Sequence, residues 1–202
     1  MKVVAIIQAR MSSRRLPGKV LADLQGVPIL GRVVDRVRAA GSINEAWVAS
    51  TTLPADDAIG VWCRSVGLPI YRGSEGDVLG RFVEAADASG ADIVVRITAD
   101  CPLLDPGVVD RVVAELLNHQ PGADYVANVL ERSFPRGLDV EAFTRAALGR
   151  MNELGRTSEA REHVTLPARL AGQQAFAVRN VNAVTNDSDL RWTVDTADDL
   201  RF

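Results

Sequence analysis

The sequence predicts an α/β fold in which a mostly parallel sheet carries helices on its faces. Three observations predict it. Strand-like and helix-like segments alternate through the first two thirds of the 202 residues, the helical segments carry single apolar stripes, and glycines, prolines and capping residues fall at their boundaries. With 47% hydrophobic residues, the chain can bury one good core, so a single domain spanning 1–202 is expected.

The predicted strands are 3–7, 45–50, 68–71, 92–98 and 124–128. The first is the short apolar run from Val3 to Ile7, and the most regular is the stretch from Asp92 to Thr98. Between them, apolar residues recur at helical spacing: Ile29, Leu30, Val33, Val34 and Val37; then Ile59, Trp62, Cys63 and Val66; then Val78, Leu79, Phe82, Val83 and Ala86; then Val108, Val109, Val112, Val113, Leu116 and Leu117. Ser74 to Asp77 forms a capping-box pattern before Val78, and Asp105-Pro106 combines a capping oxygen with a preset φ. Gly41, Gly67 and Gly90 follow helix ends. From about 130 to 172 the alternation breaks down. A helical pattern at 142–154 and a second helix after Ser158 suggest an excursion from the sheet, serving as a lid, a dimer arm or both. A strand is expected within 174–181, and another at 191–194, before an acidic turn at 197–199. The chain ends at Phe202 where a last helix should begin, so the sheet face under that helix is expected to be bare.

Composition narrows the function. With 23 basic against 26 acidic residues the net charge is −3, so no basic excess exists to displace counterions from a nucleic acid or an anionic membrane. Cys63 and Cys101 lie outside any metal-ligand or C-x-x-C spacing, and Cys63 reads as a small buried hydrophobe. The first apolar run is too short for a secretory segment, and none approaches the ~18 residues of a membrane span, so a cytoplasmic protein is expected. Its partner should be a small anion held locally.

The loop from Gln8 to Lys19, QARMSSRRLPGK, offers a place for that anion. It follows the first strand and carries Arg10, Arg14, Arg15 and Lys19, with Ser12 and Ser13 supplying hydroxyls and Pro17-Gly18 a tight turn. It matches neither a Walker P-loop nor a dinucleotide fingerprint. It reads as a nucleotide triphosphate site formed by Gln8, Ala9, Arg10, Ser12, Ser13 and Lys19, against the plainer reading of a solvated surface loop. Ligands in open α/β sheets bind outside the carboxyl ends of the strands, so the loops at 8–19, 51–55, 72–77 and 99–105 should share one crevice.

That crevice places Asp100, at the exit of the 92–98 strand, opposite the basic loop. Mg²⁺ prefers oxygen ligands and takes one or two carboxylates plus phosphate oxygens, so Asp100 suits it; the alternative is a turn cap. Asp195 is the second carboxylate candidate, with helix N-capping as its even rival. Asp187 and Asp189 match the D-x-D pattern of many glycosyltransferases. Asn128, Arg136, Asp139, Arg161 and His163 are candidates for binding the second substrate.

Four segments together, IQARMSSRRLPGKVL at 7–21, RGSEGD at 72–77, RITADCPL at 96–103 and WTVDTADDL at 192–200, resemble the cytidylyltransferase family. The nearest branch is the spore coat polysaccharide biosynthesis protein F type, related to the acylneuraminate and ketodeoxyoctonate cytidylyltransferases. The resemblance implies a Rossmann-like three-layer sandwich, the nucleotide-diphospho-sugar transferase fold. It also implies CTP and an acidic sugar as substrates, a CMP-sugar and pyrophosphate as products, Mg²⁺ and a homodimer. By position, Arg10 and Lys19 would contact phosphate, and Asp100 with Asp195 would hold the metal. Arg72, Ser74 and Asp77 match a loop near the nucleotide. Gln8 and Ala99 depart from the proline and glycine of many relatives, which bears on close backbone approach there. A glycosyltransferase using a nucleotide sugar and a non-catalytic nucleotide-binding subunit are the alternative readings.

Overall fold

The computed structural model describes residues 1–171 and 175–201. Its strands are β1 (Val3–Gln8), β2 (Asp23–Leu24), β3 (Val27–Pro28), β4 (Glu45–Thr51), β5 (Ile70–Gly73), β6 (Ile93–Thr98), β7 (Tyr125–Ala127), β8 (Glu141–Thr144) and β9 (Val178–Asn180). Its longer helices are α1 (Ile29–Arg38), α2 (Asp57–Ser65), α3 (Val78–Ser89), α4 (Pro106–Asn118) and α5 (Arg145–Leu154). Three short ones follow, α6 (Ser158–Glu162), α7 (Leu166–Ala171) and α8 (Ala197–Arg201).

Seven strands form one sheet in the order β5-β4-β1-β6-β8-β7-β9, while β2 and β3 make a separate hairpin. Only β8 runs against the rest, pairing antiparallel with both β6 and β7. Both faces of the sheet are covered, which explains why β1 is apolar without alternation. Val3, Ala5 and Ile7 pack on the side of α1, α2 and α4, whereas Val4 and Ile6 pack on the side of α3, α5 and α7. The result is three layers.

All five strands expected from 3–7 to 124–128 form, and so do the four striped helices. Asp105 caps α4 by accepting from the Val108 amide at 3.1 Å, with Pro106 in the first turn. For α3 the cap is Asp77 itself, which accepts from Gly80 at 2.8 Å; Ser74 takes no part. Gly67 and Gly90 adopt the left-handed φ of 63° and 64° that ends α2 and α3. Cys63 is fully buried and burial pushes its thiol up to about 11, as a core residue requires.

The expected helix over 142–154 is corrected at its start. Residues 141–144 are β8, and the helix begins at Arg145 because Thr144 caps it, accepting from Ala147 at 3.0 Å. The segment 130–172 therefore returns to the sheet midway instead of staying outside it. Strand register explains how: Arg96 of β6 stands opposite Glu141 of β8, so a buried charge that disguises the strand is neutralised by its neighbour. Within 174–181 the strand is confined to Val178–Asn180, and residue 174 lies outside the described residues. No strand forms at 191–194. Arg191 makes a single bridge to Arg136, and Val194 donates to the Asp100 carbonyl at 2.9 Å, so this segment is stitched to loops. The helix at the end does begin, as α8, with no residue buried.

Glu141 accepts from Arg96, from the Tyr125 hydroxyl and from Thr165 at 2.7 Å. Burial opposes its ionisation, but Arg96, then Tyr125 and Thr165, outweigh that and hold its carboxyl below the usual range. Removing the acid strands a buried guanidinium, so Glu141→Ala should lower stability by about 3–5 kcal/mol in urea unfolding. Because the folded-state pKa is depressed, this contribution is present above the ordinary carboxylate pKa and fades as pH falls through the lowered value. Wild type and variant should therefore converge in acid.

Candidate active site

A cavity of about 750 Å³ opens at the carboxyl ends of β1 and β6. The cationic loop forms one wall through Arg10, Arg14, Arg15, Lys19 and the two serines, and Thr98, Ala99 and Asp100 form another. Asp195 comes from the final segment, Glu75 from the loop before α3, and Glu162 from α6. Gln8 lines it at the end of β1.

Local chemistry shapes the loop. Gly18 takes a φ of 75°, which favours glycine, and its amide donates to the Met11 carbonyl at 2.9 Å, closing the turn that delivers Lys19. The Met11 amide in turn donates to Asp56 at 2.6 Å. Asp56, buried after β4 and also bonded to Thr51, thus ties the loop to the neighbouring strand end. Sequence reasoning missed Asp56 because it sits in an ordinary proline-led helix start.

Lys19 is the centre of the arrangement. Its Nζ donates to Asp100 Oδ2 at 2.8 Å, to the Val194 carbonyl at 2.8 Å and to Asp195 Oδ1 at 2.9 Å. Arg15 adds a second cation to Asp195 at 2.8 Å. Burial opposes the charge on Lys19, but Asp100 and then Asp195 outweigh it and raise the ammonium pKa. Burial likewise opposes ionisation of Asp100, and Lys19 more than compensates, so its carboxyl lies below the usual range. All three ammonium protons are spent. Lys19 in this arrangement is a counterion to the two acids, and it must release an acceptor before it can touch a phosphate.

The carboxylates fit a hard divalent cation, since Asp100 and Asp195 converge on one positive centre and offer only oxygen donors. Among the described residues no group of three or more His, Cys, Asp or Glu side chains is set to hold a metal. A cation here would draw its remaining ligands from phosphate and water.

The cavity gathers Gln8, Arg10, Ser12, Ser13, Lys19, Asp100 and Asp195. It does not gather the others. The Ala9 amide is spent on the Ala49 carbonyl, extending the sheet by 3.1 Å bonding. Arg72 donates to Thr51 and Leu53 carbonyls and pairs with Asp57, bracing the neighbouring loop, while Ser74 is exposed outside the lining. Asp77 and Arg161, expected to contact different substrates, bind each other, with Arg161 Nε donating to Asp77 at 2.7 Å. That clamp holds α6 against the start of α3, and so brings Glu162 over the cavity. Asn128 is buried and bonded to the backbone of Leu138 and Val140. Asp139 is paired with Arg132 at 2.6 Å and 2.9 Å and lines a smaller cavity of about 150 Å³, together with Arg96, Thr98, Glu141 and Arg169. Arg136 and His163 line neither cavity, and neither do Asp187 and Asp189. Arg15 is read from the sequence only as one of the loop's four cations, and Glu75, Thr98 and Arg169 are not singled out at all; chain position alone carries no signal that these loops meet.

A three-layer α/β sheet with a cationic loop facing paired acids at its strand ends is the architecture of a nucleotidyltransferase. A family model described as cytidylyltransferase matches residues 4–189, and the chain belongs to that family. Over 172 residues it is 31% identical to the spore coat polysaccharide biosynthesis protein SpsF of Bacillus subtilis, covering 83% of this chain and 70% of the relative. Over 118 residues it is 36% identical to 3-deoxy-manno-octulosonate cytidylyltransferase of Geobacter sulfurreducens, covering 57% of this chain and 46% of the relative. Its backbone superposes on a cytidylyltransferase structure from Leptospira borgpetersenii with a TM-score of 0.93 and 33% identity, covering 98% of this chain and 83% of the other.

Because Lys19 is the principal favourable partner of the Asp100 carboxylate, Lys19→Met should raise the pH at which Asp100 titrates. Carboxyl carbon shifts followed by NMR across an acid titration will read this. An unchanged midpoint would assign the depression of Asp100 to something other than the ammonium.

Proposed function

We propose that this chain transfers CMP from CTP to an acidic sugar, yielding a CMP-sugar and pyrophosphate for surface polysaccharide biosynthesis. The observation that carries the reading is the single cavity in which four loop cations face Asp100 and Asp195. Family membership and the likeness to a 3-deoxy-manno-octulosonate cytidylyltransferase support CTP and a sugar acid as the substrates. The sugar hydroxyl attacks the α-phosphorus in line and pyrophosphate departs. Arg10, Arg14 and Arg15 meet the charge that builds on the leaving phosphates. Asp100 and Asp195 would hold Mg²⁺, which when bound neutralises phosphate charge and favours departure of the leaving group. Lys19 holds both carboxylates aimed at one point.

The acceptor belongs in the smaller cavity, which shares Thr98 with the larger one. Arg169 lines it, and a guanidinium is the natural partner for a sugar carboxylate. Residues 130–172 act as the lid or dimerisation segment of a cytoplasmic homodimer, with α6 reaching the cavity through Glu162. No helix among the described residues is long and apolar enough to cross a membrane. A glycosyltransferase built on Asp187 and Asp189 finds no support, because those acids stand away from both cavities.

Purified protein assayed for pyrophosphate release with CTP, UTP, ATP and GTP against several acidic sugars tests the reading. Asp100→Ala should abolish release while circular dichroism stays native; near-normal turnover by that variant would remove Asp100 from the mechanism. Arg169→Ala should raise KM for the acidic sugar tenfold or more, on the order of a lost charge-assisted bond, and leave KM for CTP alone. A shift in both constants would place Arg169 elsewhere.

A further inference from the structure

Gln8 is the one polar side chain on a strand otherwise made of valine, alanine and isoleucine, and it stands where β1 leaves the core. Val4 and Ile6 pack on the side of α3, α5 and α7, and the alternation of a strand puts Gln8 on that same side. Ile6 lies beside Arg96 of β6 and Gln8 beside Thr98, and the buried Val94 sets Arg96 and Thr98 on the matching face. The Gln8 carbonyl accepts from the Ala99 amide at 3.1 Å, one residue before Asp100. Gln8 thus lines the large cavity close to its acids.

The orientation of its side-chain amide follows from its neighbour. Arg96 donates through Nη2 to Gln8 Oε1 at 3.3 Å, while Glu141 holds Nη1. A guanidinium has donors and no acceptor, so the amide oxygen faces it and the amide nitrogen turns away. Among the described residues Nε2 has no hydrogen-bond partner, and it is not one of the polar atoms sealed from solvent. Its two N–H groups are open to the cavity.

The two cavities meet at this point. Thr98 lines both, Gln8 lines the larger and Arg96 the smaller, so these three side chains form a sill between them. Phosphates gathered by the loop cations lie on one side, an acidic sugar drawn to Arg169 lies on the other, and the new bond forms across the sill. Phosphate oxygens there already face Arg10, Arg14 and Arg15. An acceptor oxygen facing the sill meets the Thr98 hydroxyl, which is 3.2 Å from Cys101 Sγ, and the free amide of Gln8. A neutral donor suits an oxygen that must be aligned without being tightly held.

We infer that Gln8 positions the acidic sugar, its Nε2 donating to an acceptor oxygen beside the attacking hydroxyl. Arg96 acts through Gln8 by fixing which end of the amide faces the sill. The inference rests on the CMP-transfer reading and deepens it by naming a residue that the sugar feels and the nucleotide does not.

Pyrophosphate release by wild type, Gln8→Met and Gln8→Glu, with CTP and the sugar varied in turn, tests it; ketodeoxyoctonate and N-acetylneuraminate serve as probe acids. Gln8→Met removes the donors at similar length and should lower kcat/KM for the sugar by about tenfold while KM for CTP stays within roughly twofold. Gln8→Glu keeps an oxygen on Arg96 but turns a second one toward an acidic substrate, so its loss should exceed that of Gln8→Met. Gln8→Glu as active as wild type would overturn the inference. A rise in KM for CTP as large as that for the sugar would mark a nucleotide contact and overturn it as well. So would a lower melting temperature with unchanged kinetics, which marks Gln8 as a prop for Arg96. All of these outcomes leave CMP transfer standing, whereas wild type silent with every nucleotide and acid would defeat that reading and the inference with it.

Discussion

The site depends on one ammonium group held by three oxygens. Lys19 reaches Asp100, 81 residues away, and Asp195, 176 residues away, and saturates its third donor on the Val194 carbonyl. None of these groups tolerates burial alone, and together they satisfy one another. The final segment has no strand of its own to hold it in place at Asp195. Its position follows from this lysine, from Arg15 and from the bond between the Val194 amide and the Asp100 carbonyl. The first loop, the central strand end and the last segment are consequently a single unit.

Around that unit the charged residues divide by whether their bonding is spent. Asp77 and Arg161 are consumed by each other, Arg72 by carbonyls, Asp139 by Arg132, and Glu141 by Arg96, Tyr125 and Thr165. These pairs fix helices and loops about the cavity. On the cavity wall Lys19 is spent as well, on Asp100, Asp195 and the Val194 carbonyl, which leaves Arg10, Arg14 and Arg15 as the remaining cations that line the cavity. Whether a charge is spent on another segment is invisible to residue type.

A chain with a net charge of −3 can still carry a locally cationic cavity. The positive field is local. Arg10, Arg14 and Arg15 line one cavity together, so their fields add there although the chain as a whole is acidic. Position at the carboxyl ends of a parallel sheet brings that loop beside the acids, and antiparallel β8 extends the sheet on the far side of β6, where the smaller cavity forms.

The sequence by itself determined the layered α/β plan, the five leading strands, the caps at Asp105 and the chemistry of the 8–19 loop, because periods of two and 3.6 residues and turn residues are local. It also marked Asp100, at the exit of a strand that forms, whereas Asp195 was marked as the end of a strand that does not form. Tertiary structure alone decided that 141–144 enters the sheet, since a buried glutamate reads as polar until its register places it opposite Arg96. It alone decided that Arg72, Asp77, Asn128 and Arg161 are occupied internally. The physical reason is that a polar group's role depends on whether another chain segment satisfies its hydrogen bonds. That pairing spans tens of residues and is set by packing, with no trace in sequence spacing.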